Sequence, residues 1–114
     1  MSRETANAIC AALPGAEVSD PWGGGHDCWK VGGKSFAIMG ASSEGVAVKT
    51  EGIEMADVLV EAGAAWRDKY LHRSWVKVSW DLPGDELRER IVTSYRLIRA
   101  GLPKKAQAGL GDMP

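Results

Sequence analysis

Apolar residues follow two rhythms along this chain. Ala6, Ile9, Cys10 and Leu13 recur at i, i+3, i+4 and i+7, the stripe of an amphipathic helix. The spacing predicts a helix over 2–13, with Ser2 placed to cap it and Pro14-Gly15 to end it. A short extended piece, Glu17 to Asp20, leads into Pro21-Trp22-Gly23-Gly24-Gly25, which reads as a flexible loop. From His26 the period becomes two. His26 to Val31 and Lys34 to Met39 read as strands joined at Gly32-Gly33, because paired glycines supply the positive φ of a tight hairpin. A polar turn, Ala41 to Glu44, leads to a third strand over Gly45 to Thr50. A helix over 51–62 follows, with Ile53, Ala56, Leu59 and Val60 on one side, and then a long connection from Gly63 to Ser74. Trp75 to Trp80 is a strand and Asp81 to Gly84 a turn. The clearest helix runs from Pro83 to Ala100, lined by Leu87, Ile91, Ser94, Tyr95 and Ile98. Asp85 and Glu86 in its first turn and Arg99 in its last match the helix dipole, and Gly101 ends it.

This order is helix, three or four strands, helix, strand, helix. Strands joined by tight turns pair antiparallel. The expected fold is α+β, a two-layer sandwich with helices on one face of an antiparallel sheet. No linker or repeat interrupts it, so residues 1–105 read as one domain and 106–114 as a flexible tail.

Alternation assigns the strand residues to two faces. Trp29, Val31, Phe36, Ile38, Val46, Val48, Val76, Val78 and Trp80 share the parity expected of the core. The opposite parity holds His26, Cys28, Lys30, Ser35, Ala37, Met39, Ala47, Lys49, Trp75, Lys77 and Ser79. That second face carries three lysines, one tryptophan and no carboxylate. Aromatic platforms among cations are the composition of a nucleic-acid contact surface.

Charge modifies the picture. The 114 residues sum to −1, which excludes binding to nucleic acid by bulk charge. The sum conceals a division at Ala65, with −5 before it and +4 after it. Ten basic residues follow Ala65, among them Arg67, Lys69 and Arg73 in the connection, Arg88, Arg96 and Arg99 on the last helix, and Lys104-Lys105 beyond it. Composition is otherwise that of a globular domain, 45% hydrophobic and 25% charged. Nothing approaches the ~18 apolar residues of a membrane span, no signal-peptide pattern begins the chain, and a cytoplasmic protein is expected.

Several motifs stand in a fixed order. Leu13-Pro14-Gly15 closes the first helix, and Trp29-Lys30-Val31-Gly32-Gly33-Lys34-Ser35-Phe36-Ala37 forms the hairpin. Val46-Ala47-Val48-Lys49, Tyr70-Leu71-His72-Arg73-Ser74-Trp75, Ser94-Tyr95 and Leu102-Pro103-Lys104-Lys105 follow. Over residues 2–105 the chain resembles the MmcQ/YjbR family of small bacterial proteins. The resemblance implies a CyaY-like (frataxin-like) fold in a double-wing arrangement and a DNA-binding role. Ser74 stands where members of that family often carry a histidine, and the histidine here is His72. Lys34, Arg73, Trp75, Lys104 and Lys105 match the family without an evident packing duty, which makes them candidate contacts.

Catalytic and metal chemistry find little support in the residues. Cys10 sits on an apolar stripe and reads as core. His26 and Cys28 share a strand face, but two ligands fall short of the set zinc takes. The glycines after Trp22 have neither P-loop nor dinucleotide spacing. Ser94 reads as a small residue packed against the sheet. Glu4, Glu17, Asp20 and Asp27 are too sparse for the acidic ridge with which frataxins meet iron. No catalytic residue, metal or cofactor is expected.

The sequence thus points to a non-enzymatic DNA-binding or regulatory module, monomeric, meeting double-stranded DNA weakly and in a salt-dependent manner. Lys30, Lys34, Lys49, Arg73, Lys77, Lys104 and Lys105 would meet phosphates, and Trp75 would stack or wedge. The alternative is an adaptor holding a small ligand or a protein in a groove near Trp22 and Trp75. Gathering of the ten late basic residues beside Lys30 and Lys49 would favour the first reading, and scatter a plain solvated surface.

Overall fold

The two rhythms sort the chain into two layers. A computed structural model describes residues 2–42 and 44–114. The elements are α1 (Arg3–Ala11), β1 (Glu17–Ser19), β2 (Asp27–Val31), β3 (Lys34–Met39), β4 (Gly45–Lys49), α2 (Ile53–Glu61), β5 (Ala65–Trp66), β6 (Trp75–Ser79), α3 (Gly84–Ala100) and α4 (Lys104–Ala108). The strands form one antiparallel sheet in the order β1-β2-β3-β4-β6-β5. Of the polar turn expected at Ala41 to Glu44, Ser43 lies outside the described residues. β5 was hidden in the expected connection because two residues are too few to show an alternation.

Local chemistry accounts for the element ends. The Ser2 hydroxyl accepts the Thr5 N–H at 3.2 Å and caps α1. Gly32 and Gly33 have φ of 57° and 80°, as a two-residue turn between twisted strands requires. α3 packs across β2, β3 and β4, with α1 against α3 and α2 over β5 and β6. Its stripe places Leu87, Ile91, Ser94 and Tyr95 in full burial, and the Tyr95 ring meets Phe36 edge to face at 5.3 Å.

The expected strand parity fails within β3. Trp29 faces Ala37 while Lys30 faces Ser35, which leaves Phe36 as an extra residue in a β-bulge. Phe36 and Ala37 both enter the core, Ile38 turns to the open face opposite Cys28 and Ala47, and Met39 returns to the core. One inserted residue inverts every assignment beyond it, so Ile38 exchanges places with Ala37 and Met39. The bulge interrupts the ladder to β4, and Ser94 fills the gap. Its hydroxyl accepts the Lys49 N–H at 2.9 Å and donates to the Phe36 carbonyl at 2.6 Å.

The C-terminal residues dock rather than trail. Arg99, only 3% exposed, donates to the carbonyls of Gly111 and Asp112 and to the Tyr95 hydroxyl, which itself donates to the Pro14 carbonyl. Leu110 packs on the core against Gly15. The tail expected over 106–114 therefore includes most of α4 and a segment held by a buried guanidinium. No described helix is long and apolar enough to cross a membrane.

Candidate nucleic-acid interface

Residues paired across adjacent strands point to the same side of a sheet. Lys30 faces Ser35 on one flank and Glu17 on the other. Lys49 faces Trp75, and Lys77 faces Ala47 and Trp66. Lys30, Lys49, Trp75 and Lys77 thus share the face turned away from the helices. Lys30 and Lys49 lie two strands apart, or about 10 Å at the backbone.

The expectation of a face without carboxylates is corrected. Glu17 of β1 lies directly across from Lys30, and Lys77 Nζ contacts Asp68 Oδ2 at 2.9 Å. The Tyr70 N–H, reinforced by Lys77, holds the Asp68 carboxyl below its ordinary range. Both acids escaped strand parity, because Asp68 reaches the sheet from a loop and β1 is only three residues long.

The connection after β5 folds over the end of the sheet where Trp75 stands. Arg67 pairs with Asp57 and donates to the Arg73 carbonyl at 2.7 Å. The Ser74 N–H donates to His72 Nδ1 at 3.1 Å, so that ring nitrogen serves as an acceptor. The buried Ser74 hydroxyl lies 2.8 Å from the same nitrogen and accepts from Lys49 Nζ at 3.1 Å. The loop walls a cleft of about 430 Å³ whose lining includes Arg67, Lys69, His72, Arg73 and Trp75. Lys69 Nζ sits 5.1 Å from the centre of the exposed Tyr70 ring. Sequence reading missed how Lys49, Ser74 and His72 meet, because two of them lie on a loop whose path no periodicity reports.

The remaining candidates stand elsewhere. Lys34 is exposed beside the β2–β3 hairpin, and Lys104 and Lys105 begin α4. Leu102 packs against Gly32, which brings α4 to the hairpin end of the molecule but on the helix side of the sheet. Of the ten late basic residues, Arg67, Lys69, Arg73 and Lys77 gather beside Trp75. The other six ride on α3 and α4. Arg90 is tied to Glu51, Arg96 donates to the Pro114 carbonyl, and Arg99 is buried. The distribution is a partial gathering with a larger scatter.

Trp22 and Trp75 do not share a groove, which corrects the adaptor site. Trp22 sits in the β1–β2 connection at one edge of the sheet. Trp75 lies on β6, next to the opposite edge and at the strand end farther from that connection. The glycine loop is braced as well. Asp20 accepts the N–H groups of Gly25 and His26 at 2.9 and 3.2 Å, and Arg3 donates to the Gly25 carbonyl at 2.7 Å. Trp22 is 63% exposed and meets His26 edge-on at 5.2 Å. His26 Nδ1 lies 3.1 Å from the Gly23 carbonyl, while Cys28 Sγ lies 3.3 Å from Ser35 Oγ. Cys10 is buried as expected, and burial pushes its thiol up to about 12.

The YjbR family model matches residues 11–97. The fold is similar to that in the crystal structure of a Deinococcus radiodurans protein with a DUF419 domain. The TM-score is 0.84 and the identity 23%, covering 97% of this chain and 88% of that one. None of the curated proteins matches the sequence.

Proposed function

The chain belongs to the YjbR family, and from that premise we propose that it is a non-enzymatic DNA-contacting or regulatory module, cytoplasmic and monomeric. One observation carries the reading. Lys30, Lys49, Lys77 and Trp75 share the open sheet face, and Trp75 also walls a cleft with Arg67, Lys69 and Arg73. Cations of this kind release counterions from phosphates, and the half-buried Trp75 indole offers its open side as a stacking plane. The pairing of Lys77 with Asp68 and the position of Glu17 reduce the free charge, so binding is weak. Lys34, Lys104 and Lys105 would extend the contact around the hairpin end.

Fluorescence anisotropy with a short labelled duplex at low salt tests this. A micromolar dissociation constant is expected, rising steeply with salt. Arg73→Glu with Lys30→Glu should weaken binding about tenfold, the equivalent of ~1.4 kcal/mol. No binding at tens of micromolar protein, or binding indifferent to both substitutions, would overturn the proposal.

A further inference from the structure

The helix layer carries a concave surface of opposite character. α2 fully buries only Ala56, and Ile53 and Val58 stand 37% and 57% exposed. Between α2 and the first turns of α3 lies a groove of about 530 Å³. Met55, Leu59 and Leu82 form its floor, and Asp85, Glu86 and Glu89 rim it. The cation on the rim, Arg90, is occupied by Glu51 through two contacts of 2.9 and 3.2 Å. Met55 also borders a neighbouring hollow with Ile53, Val58 and Glu54. The apolar strip therefore continues across the outer side of α2, with carboxylates along both margins.

We propose that this groove docks a cationic amphipathic helix supplied by a partner protein. Its apolar floor calls for an apolar stripe, and its rim selects lysine or arginine flanking that stripe. α2 spans about 13 Å along its axis, room for the i, i+3/i+4 and i+7 anchors of a helix laid in a groove. A second copy of this chain docked α2 to α2 would set Glu54 and Glu61 of one copy against the same carboxylates of the other. Nucleic acid would meet the same repulsion. The proposal is independent of the open sheet face, which is turned away from the helix layer.

The probe is a fluorescein-labelled peptide of leucine and lysine in helical amphipathic order. Its control is an isomer of identical composition in shuffled order. With the full chain at ~150 mM salt, the ordered peptide should bind at micromolar concentration, at least about tenfold tighter than the shuffled one. Val58→Asp, and separately Glu86→Lys with Glu89→Lys, alter exposed positions and should each remove most of that preference. Lys30→Glu, on the opposite face, should leave it intact. Equal affinity for the two peptides would overturn the proposal, as would a preference untouched by both groove variants. A dimer in sedimentation equilibrium that Val58→Asp dissolves would assign the groove to a second copy instead.

Discussion

Ser94 completes the sheet from outside it. The Lys49 N–H and the Phe36 carbonyl lose their mutual partner at the bulge, and a single hydroxyl serves both. Ser94→Ala would leave two buried backbone groups unpaired, at a cost of about 1–3 kcal/mol. Urea denaturation should show the midpoint falling with an unchanged slope, and an unchanged midpoint would contradict the bridge. The helical stripe made the burial of Ser94 legible in the sequence, as it did that of Cys10 and Tyr95. Its hydrogen bonds were not legible, because they depend on an irregularity in a strand that is remote in sequence. Arg99 shows the same limit. Its place in the last turn of α3 was plain, but its burial on the carbonyls of Gly111 and Asp112 depends on where the chain returns.

Among the elements, the first three helices and the hairpin were open to inspection because their signals are local, whereas the five-residue α4 was too short to show a period. Gly32-Gly33 declares a turn by itself. Gly45 does not. A Cβ there would run into the Val78 carbonyl oxygen of β6, a strand that arrives only after α2 and the long connection. Gly45→Ala should push β4 from β6 and cost roughly 1–3 kcal/mol, as overpacking does. A lowered thermal midpoint would report it, and wild-type stability would mean that the strands can part without loss. β3 was misread for a related reason. Alternation locates a strand but cannot reveal an extra residue within it, so Ile38 was placed in the core in exchange for Ala37 and Met39. The sheet face of the candidate site inherited that limit: its lysines were found, and the acids that face them were not.

For the molecule as a whole, the division of charge at Ala65 partly dissolves on folding. Asp57 pairs with Arg67 and Glu51 with Arg90, each pair joining the acidic half to the basic one. Three carboxyls titrate below their ordinary values. Asp27 is held down chiefly by the Asn7 amide and then by Arg3, Glu51 chiefly by Arg90, and Asp68 by the Tyr70 N–H and Lys77. A carboxyl depressed in the folded state stabilises it above the unfolded pKa, and that contribution fades as pH falls through the folded value. The thermal midpoint should therefore be nearly flat from pH 8 to about 5 and fall below about pH 4. Asp27→Asn should lower the plateau and soften the acid decline. A midpoint that holds to pH 2 would show that these pairs add nothing. The Ser94 bridge also bears on the order of events during folding. It joins residues 58 apart, and β6 must seat against β4 from across α2 and a long loop. The first four strands are neighbours both in sequence and in the sheet, yet their ladder stays incomplete until α3 has docked. The first half of the chain is therefore expected not to persist as an intermediate: unfolding in urea should be one cooperative transition, coincident by far-UV and tryptophan signals, and separated transitions would contradict it.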